Sequence, residues 1–207
     1  MSAGAARKSD DILHPLLLRI VHWINAFAVI VMILSGWRIY NASPLFGFEF
    51  PVGFTLGGWL AGALAWHFAA MWLLGLNLLA YILYGILTGH FRRRFLPLWP
   101  GPVLQDLKDA FAGRAVHAPG RYHGGQRAAY VFAILSIILA IVSGLAIWKP
   151  VQLQELTALM GGFEAARRVH FFAMGALVFF IVLHVGFAVG VKGVLKPMIT
   201  GRPERAE

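Results

Sequence analysis

The chain has 207 residues, 59% of them hydrophobic and 13% charged, with mean hydropathy +0.71, net charge +9 and no cysteine. A water-soluble domain of this length carries about 45–50% apolar and about 25% charged residues, so a soluble globular fold is excluded. The missing cysteines exclude disulfides, thiolate-bound zinc, iron–sulfur clusters and covalent haem attachment; the basic charge lies in tails and loops, where membrane topology accounts for it without nucleic acid.

The polar N-terminus carries Arg7 and Lys8. The apolar run that follows is too long for a signal-peptide core, has no small-residue cleavage pattern after it, and reads as a retained helix. It is predicted over about residues 16–40, interrupted near its start by Arg19, His22 and Asn25. The second helix is predicted over about 59–88, after a Gly-rich approach. A polar stretch over about 91–126 is read as a loop, and two more helices follow over about 128–148 and 163–191. Trp37, Tyr40, Trp59, Trp99 and Trp148 fall near the predicted helix ends, as an interfacial aromatic belt would. The runs lack barrel-type alternation, which leaves helices as the spanning elements.

Of 18 Lys and Arg residues, all but Arg38, Lys149, Arg167 and Arg168 fall on the side of the termini and the 91–126 loop. The positive-inside rule places that side in the cytoplasm. The expectation is an all-α, integral membrane four-helix bundle, a single multi-pass domain over 1–207 in a bacterial inner (plasma) membrane, both termini cytoplasmic.

Eight histidines are present, and His22, His67, His170 and His184 lie inside predicted helices. Ionisable residues at membrane depth are expensive and mark function. His170 and His184 are 14 residues apart, almost four turns, so both project from nearly one face about 21 Å apart along the axis. His22 follows the cytoplasmic start of the first helix and matches His184 in depth. His67 follows the periplasmic start of the second and matches His170. Two bis-imidazole sites, one above the other, suit two haem b groups in a transmembrane electron wire. With both axial positions filled, electron transfer is favoured over oxygen chemistry. Two imidazoles alone leave a zinc site short of ligands, and no intramembrane Asp, Glu or Cys completes it. A histidine-based proton or metal transporter lacks acidic partners for the same reason.

Gly36, Gly62, Gly75, Gly144 and Gly175 either admit a flat macrocycle or ease helix packing. Leu34-Ser35-Gly36 and Val142-Ser143-Gly144 echo each other at the ends of the first and third helices, read either as a small-residue helix contact or as close haem packing. Arg167 and Arg168 either pair with haem propionates or serve orientation. His14, His90 and His117 are read as interfacial or solvated.

These residues resemble the b-type cytochrome subunits of membrane-bound formate dehydrogenases, thiosulfate reductases and nickel–iron hydrogenases, related to bacterial cytochrome b561. The resemblance rests on Arg19-Ile-Val-His22-Trp23, on His67 and on the His170–His184 pair, and covers about residues 12–195. It implies two haem b groups, held by His22 with His184 and by His67 with His170. Gly120-Arg121-Tyr122-His123-Gly124-Gly125-Gln126-Arg127, preceded by Arg94-Phe95-Leu96-Pro97-Leu98-Trp99-Pro100, is similar to a formate dehydrogenase loop that borders a quinone pocket. It implies Tyr122, His123, Gly125 and Gln126 as quinone contacts, with His123 standing where that pattern has Asn. The function so implied is electron transfer between a periplasmic oxidoreductase subunit, a molybdenum enzyme or an iron–sulfur protein, and membrane quinone. A stand-alone superoxide:quinone oxidoreductase of the cytochrome b561 type is the alternative.

Overall fold

Long runs of Leu, Ala, Ile, Val and Phe, with glycine and proline concentrated between them, give four long helices and short connectors. The computed structural model describes residues 14–89, 124–191 and 193–202. Within these, α1 covers Leu16–Ala42, a 3₁₀ turn Val52–Phe54, α2 Leu60–Leu87, α3 Gly124–Trp148, α4 Gln154–Leu159, α5 Phe163–Gly190 and α6 Leu195–Thr200. The described residues contain no strand. Windows in α1, α2, α3 (over Val131–Trp148) and α5 are long and apolar enough to cross a membrane.

The helix boundaries follow local chemistry. Pro15 precedes α1, where its missing N–H costs nothing. Gly161 and Gly162, at φ +86° and +96°, take the left-handed turn between α4 and α5 that a side chain would strain. The largest departure from the sequence reading is at α3, which begins at Gly124 rather than 128. Gly125 and Gln126, read as loop, are therefore helical. Glycine is among the residues accepted at the start of a helix, where the backbone is only half committed to it.

The chain divides into two compact units, Met1–Tyr84 with Val185–Glu207, and Gly85–His184. In the first, buried small or polar residues recur every seven positions, Val21, Ala28 and Ser35 on α1 and Ala63, Ala70 and Asn77 on α2. A seven-residue period keeps one seam facing its neighbour, and small residues let backbones approach. The opposite faces are apolar and exposed: Leu16, Ile20, Trp23, Phe27 and Ile30 form a stripe along α1, and Trp72, Leu76, Leu79, Leu83 and Ile86 one along α2. Such stripes would be an aggregation hazard in water and are the expected surface in lipid.

The α1–α2 connection is built from aromatic rings. Trp37 stacks on Phe50 at 4.6 Å, and the Asn41 amide pairs with the Phe50 backbone, donating at 2.7 Å and accepting at 2.9 Å. Leu56 N–H donates to the Leu34 carbonyl at 3.0 Å, drawing the loop back onto α1. In the second unit, buried Ser136 and Ser143 on α3 and Ala166 and Ala173 on α5 repeat the seven-residue spacing. The Thr157 hydroxyl of α4 donates to the Ala146 carbonyl at 3.2 Å.

Candidate functional site

His67 lies in the third turn of α2 and is half-buried. Its Nδ1 is 3.0 Å from the Ser35 hydroxyl on α1. Ser35 is fully buried, and its hydroxyl donates to the Val31 carbonyl one turn back at 2.6 Å. A hydroxyl has one proton. With that proton on Val31, Ser35 Oγ accepts from the imidazole, and Nδ1 carries the hydrogen. Gly36 lets the ring come close: a Cβ there would lie 3.4 Å from His67 Cε1.

The second unit repeats the arrangement. His170 Nδ1 is 3.1 Å from the Ser143 hydroxyl, and Ser143, also fully buried, donates to the Leu139 carbonyl at 2.6 Å. The Ala140 carbonyl lies 2.9 Å from the same Nδ1. A carbonyl only accepts, so Nδ1 of His170 is again the protonated nitrogen. A Cβ on Gly144 would lie 3.2 Å from His170 Cε1. The echo between Leu34-Ser35-Gly36 and Val142-Ser143-Gly144 is therefore a repeated histidine support, in which serine holds Nδ1 and glycine receives the ring edge.

His22 is half-buried on α1, its ring 5.1 Å from that of Trp23. The residues around it have structural work. Arg19 Nη1 donates to the Ile199 carbonyl, and Trp23 Nε1 donates to the Met198 carbonyl at 3.1 Å. These are last-turn carbonyls of α6, which no intrahelical N–H satisfies. Gly201 closes α6 at φ +81°, and a Cβ on it would meet the Arg19 guanidinium at 3.2 Å. Asn77 on α2 donates to the Val21 carbonyl at 2.8 Å and to Asn25 Oδ1 at 2.7 Å. His184 lies on an exposed stretch of α5 and stacks on Phe180 at 5.4 Å. It shares one continuous helix with His170, so their axial separation is about 21 Å.

The other expected residues sort unevenly. Arg167 Nη1 contacts both carboxylate oxygens of Glu164 at 3.1 Å, while Arg168 is exposed. Gly62 packs against Trp59 and the Gly57 carbonyl, whereas a Cβ on Gly75 or Gly175 would meet nothing within 4 Å. His14 is described and half-buried. Tyr122, His123, His90 and His117 lie outside the described residues, and of Gly125 and Gln126 only the helical backbone is described. The sequence reading passed over Ser35 and Ser143 as histidine partners, and over Asn77. The signal for the serines was their repeated pairing with glycine; Asn77 was visible as an amide within an otherwise apolar run.

An imidazole held by an acceptor at Nδ1–H has Nε2 left as its ligand nitrogen, the usual arrangement of a metal-bound histidine with a supporting acceptor. In a chain without cysteine, this donor set fits non-covalent haem. Residues 13–201 match the model of the prokaryotic cytochrome b561 family, and the chain belongs to that family. It is a bacterial membrane cytochrome of the b type, and the family implies haem b.

Among its relatives is a protein of Azospira oryzae named "Putative protein-methionine-sulfoxide reductase subunit YedZ1", 50% identical over 91% of this chain and 96% of the relative. The cytochrome b556(fdo) subunit of formate dehydrogenase from Escherichia coli is 29% identical over 88% of this chain and 81% of the relative. A protein of Bradyrhizobium diazoefficiens named "Probable Ni/Fe-hydrogenase B-type cytochrome subunit" is 27% identical over 89% and 82% respectively.

Proposed function

We propose that this chain is the dihaem membrane subunit of an oxidoreductase, carrying electrons across the inner membrane between quinone and a periplasmic partner. His22 and His184 ligate the haem nearer the cytoplasm; His67 and His170 ligate the other. The pairing rests on the depth of each histidine along its own sequence segment. The observation that carries the haem assignment is the pair of Nδ1 hydrogen bonds, Ser35 to His67 and Ser143 to His170. Held by these imidazoles, haem b would supply one-electron redox chemistry. The chain's own part is to hold the rings and to surround them with apolar helices. Tyr122, His123, Gly125 and Gln126 border the quinone site.

The partner we favour is a methionine-sulfoxide reductase, on the strength of the 50% identity to the Azospira relative along nearly its whole length. Methionine sulfoxide takes up two electrons and two protons to give methionine and water. A quinol releases two of each on becoming quinone. Electrons then run outward, from quinol through this chain to the partner.

The test is isolation of the chain from its native membranes in mild detergent, followed by quinol oxidation with methionine sulfoxide as acceptor. The reading expects a co-purifying periplasmic subunit and quinol oxidation that depends on both substrates. A chain that purifies alone and is reduced by superoxide would contradict it in favour of the stand-alone enzyme.

A further inference from the structure

The Ser35–His67 and Ser143–His170 contacts do more than pack two helix pairs. Each serine is fully buried, and each has committed its single proton to a carbonyl 2.6 Å away, Val31 in one case and Leu139 in the other. Its orientation is thus set by its own helix, independently of the histidine. The lone pair left over faces an imidazole N–H. Glycine follows each serine and lies along the ring edge: a Cβ on Gly144 would crowd His170 Cε1 at 3.2 Å, and one on Gly36 would just touch His67 Cε1 at 3.4 Å. The imidazole is held at one nitrogen and along one edge, which restrains both its tautomer and its rotation.

We propose that Ser35 and Ser143 are positioning residues that fix Nε2 of His67 and His170 as the iron-binding nitrogen and lower the reduction potential of the haem those histidines hold. The inference rests on the ligation reading given under Proposed function. An acceptor at Nδ1–H raises the electron density of the ring and the basicity of Nε2. A more basic axial ligand favours the more positively charged ferric iron over the ferrous, and hydrogen bonding around the ligands is an established control of haem potential. The same device stands once in each unit of the chain, so both histidines receive it. At His170 the Ala140 carbonyl is a further acceptor at 2.9 Å, so Ser143→Ala keeps part of the effect. Neither serine touches iron; both act through an imidazole.

The experiment is a spectroelectrochemical titration of the purified holoprotein carrying Ser35→Ala, Ser143→Ala or both, with haem count and low-spin electron paramagnetic resonance on the same samples. The two haem waves are assigned beforehand by which one is lost in His67→Ala. In the double variant that wave is expected to move upward by about tenfold in the ferrous-to-ferric ratio at fixed potential, about 59 mV for one electron, while the other wave stays. Ser35→Thr and Ser143→Thr retain a hydroxyl able to bond the preceding turn and are expected to keep the wild-type potential. Alanine variants that hold both haems at unchanged potentials would overturn the proposal. So would loss of haem in the alanine and threonine variants alike, because packing would then be the cause. Failure of the ligation reading looks different: His67→Ala and His170→Ala would each keep two haems.

Discussion

Asn77 donates its side-chain amide to the main-chain carbonyl of Val21, 2.8 Å away, and so joins the middle of α2 to the turn of α1 that carries His22. It also donates to Asn25 Oδ1 at 2.7 Å, one turn further along the same face of α1. The α1–α2 pair is therefore fastened at two levels, by Asn77 at His22 and by Ser35 at His67.

Loss of the first fastening is expected to disturb one histidine selectively. Interhelical polar contacts in membranes contribute about 0.6 kcal/mol on average and up to about 1.7. Asn77→Leu should lower thermal stability by about that much and broaden the spectrum of the haem held by His22, leaving the His67 haem unchanged. Differential scanning fluorimetry and low-temperature spectra of the purified protein check both parts.

The two glycines beneath the histidine rings should differ in tolerance. A Cβ on Gly144 would come to 3.2 Å from His170 Cε1, against 3.4 Å for Gly36 and His67. Overpacking of a filled site costs about 1–3 kcal/mol. Gly144→Ala is expected to lose haem occupancy or low-spin character, and Gly36→Ala, whose Cβ would make an ordinary contact, to keep the wild-type occupancy. Haem per chain, measured by pyridine haemochrome, ranks the two.

Arg19 and Trp23 flank His22 in sequence but are engaged by the C-terminal helix, through the carbonyls of Ile199 and Met198. A hydrogen bond of this kind contributes about 1 kcal/mol. Arg19→Ala should speed amide hydrogen exchange across residues 195–201 by about fivefold and leave haem content at the wild-type level. A loss of haem in step with the exchange would assign Arg19 to the cofactor instead.

Arg167 is held by Glu164 across one turn, in a pair whose carboxylate side chain is 60% exposed. Exposed pairs of this spacing contribute about 0.3–0.5 kcal/mol. Arg167→Ala is expected to leave both haem potentials in place, and a shift of either would reinstate the propionate role weighed from the sequence.

The long helices were legible because their signal is length and composition. α1, α2 and α5 begin and end within two residues of the expected bounds. The start of α3 was not, since Gly124 and Gly125 resemble loop residues and nothing local marks how far a helix extends through them. The four membrane histidines stood out as costly residues in apolar runs. Their supports did not, because the link from Ser35 to His67 spans 32 residues and that from Ser143 to His170 spans 27. Helix pairing makes those contacts, and one serine among apolar neighbours carries no mark of the partner it will meet. Arg19 and Trp23 were legible only as neighbours of His22 in one motif, while their side chains reach α6.

The measurement closest to the centre of the account is the haem count per chain, by pyridine haemochrome and reduced-minus-oxidised spectrum, in the wild type and in single alanine variants at His22, His67, His170 and His184. The account predicts two b haems in the wild type. His67→Ala and His170→Ala should lose the same low-spin signal, and His22→Ala and His184→Ala the other. A wild-type protein without a Soret band after expression with ample haem, or variants that all keep both signals, would contradict it.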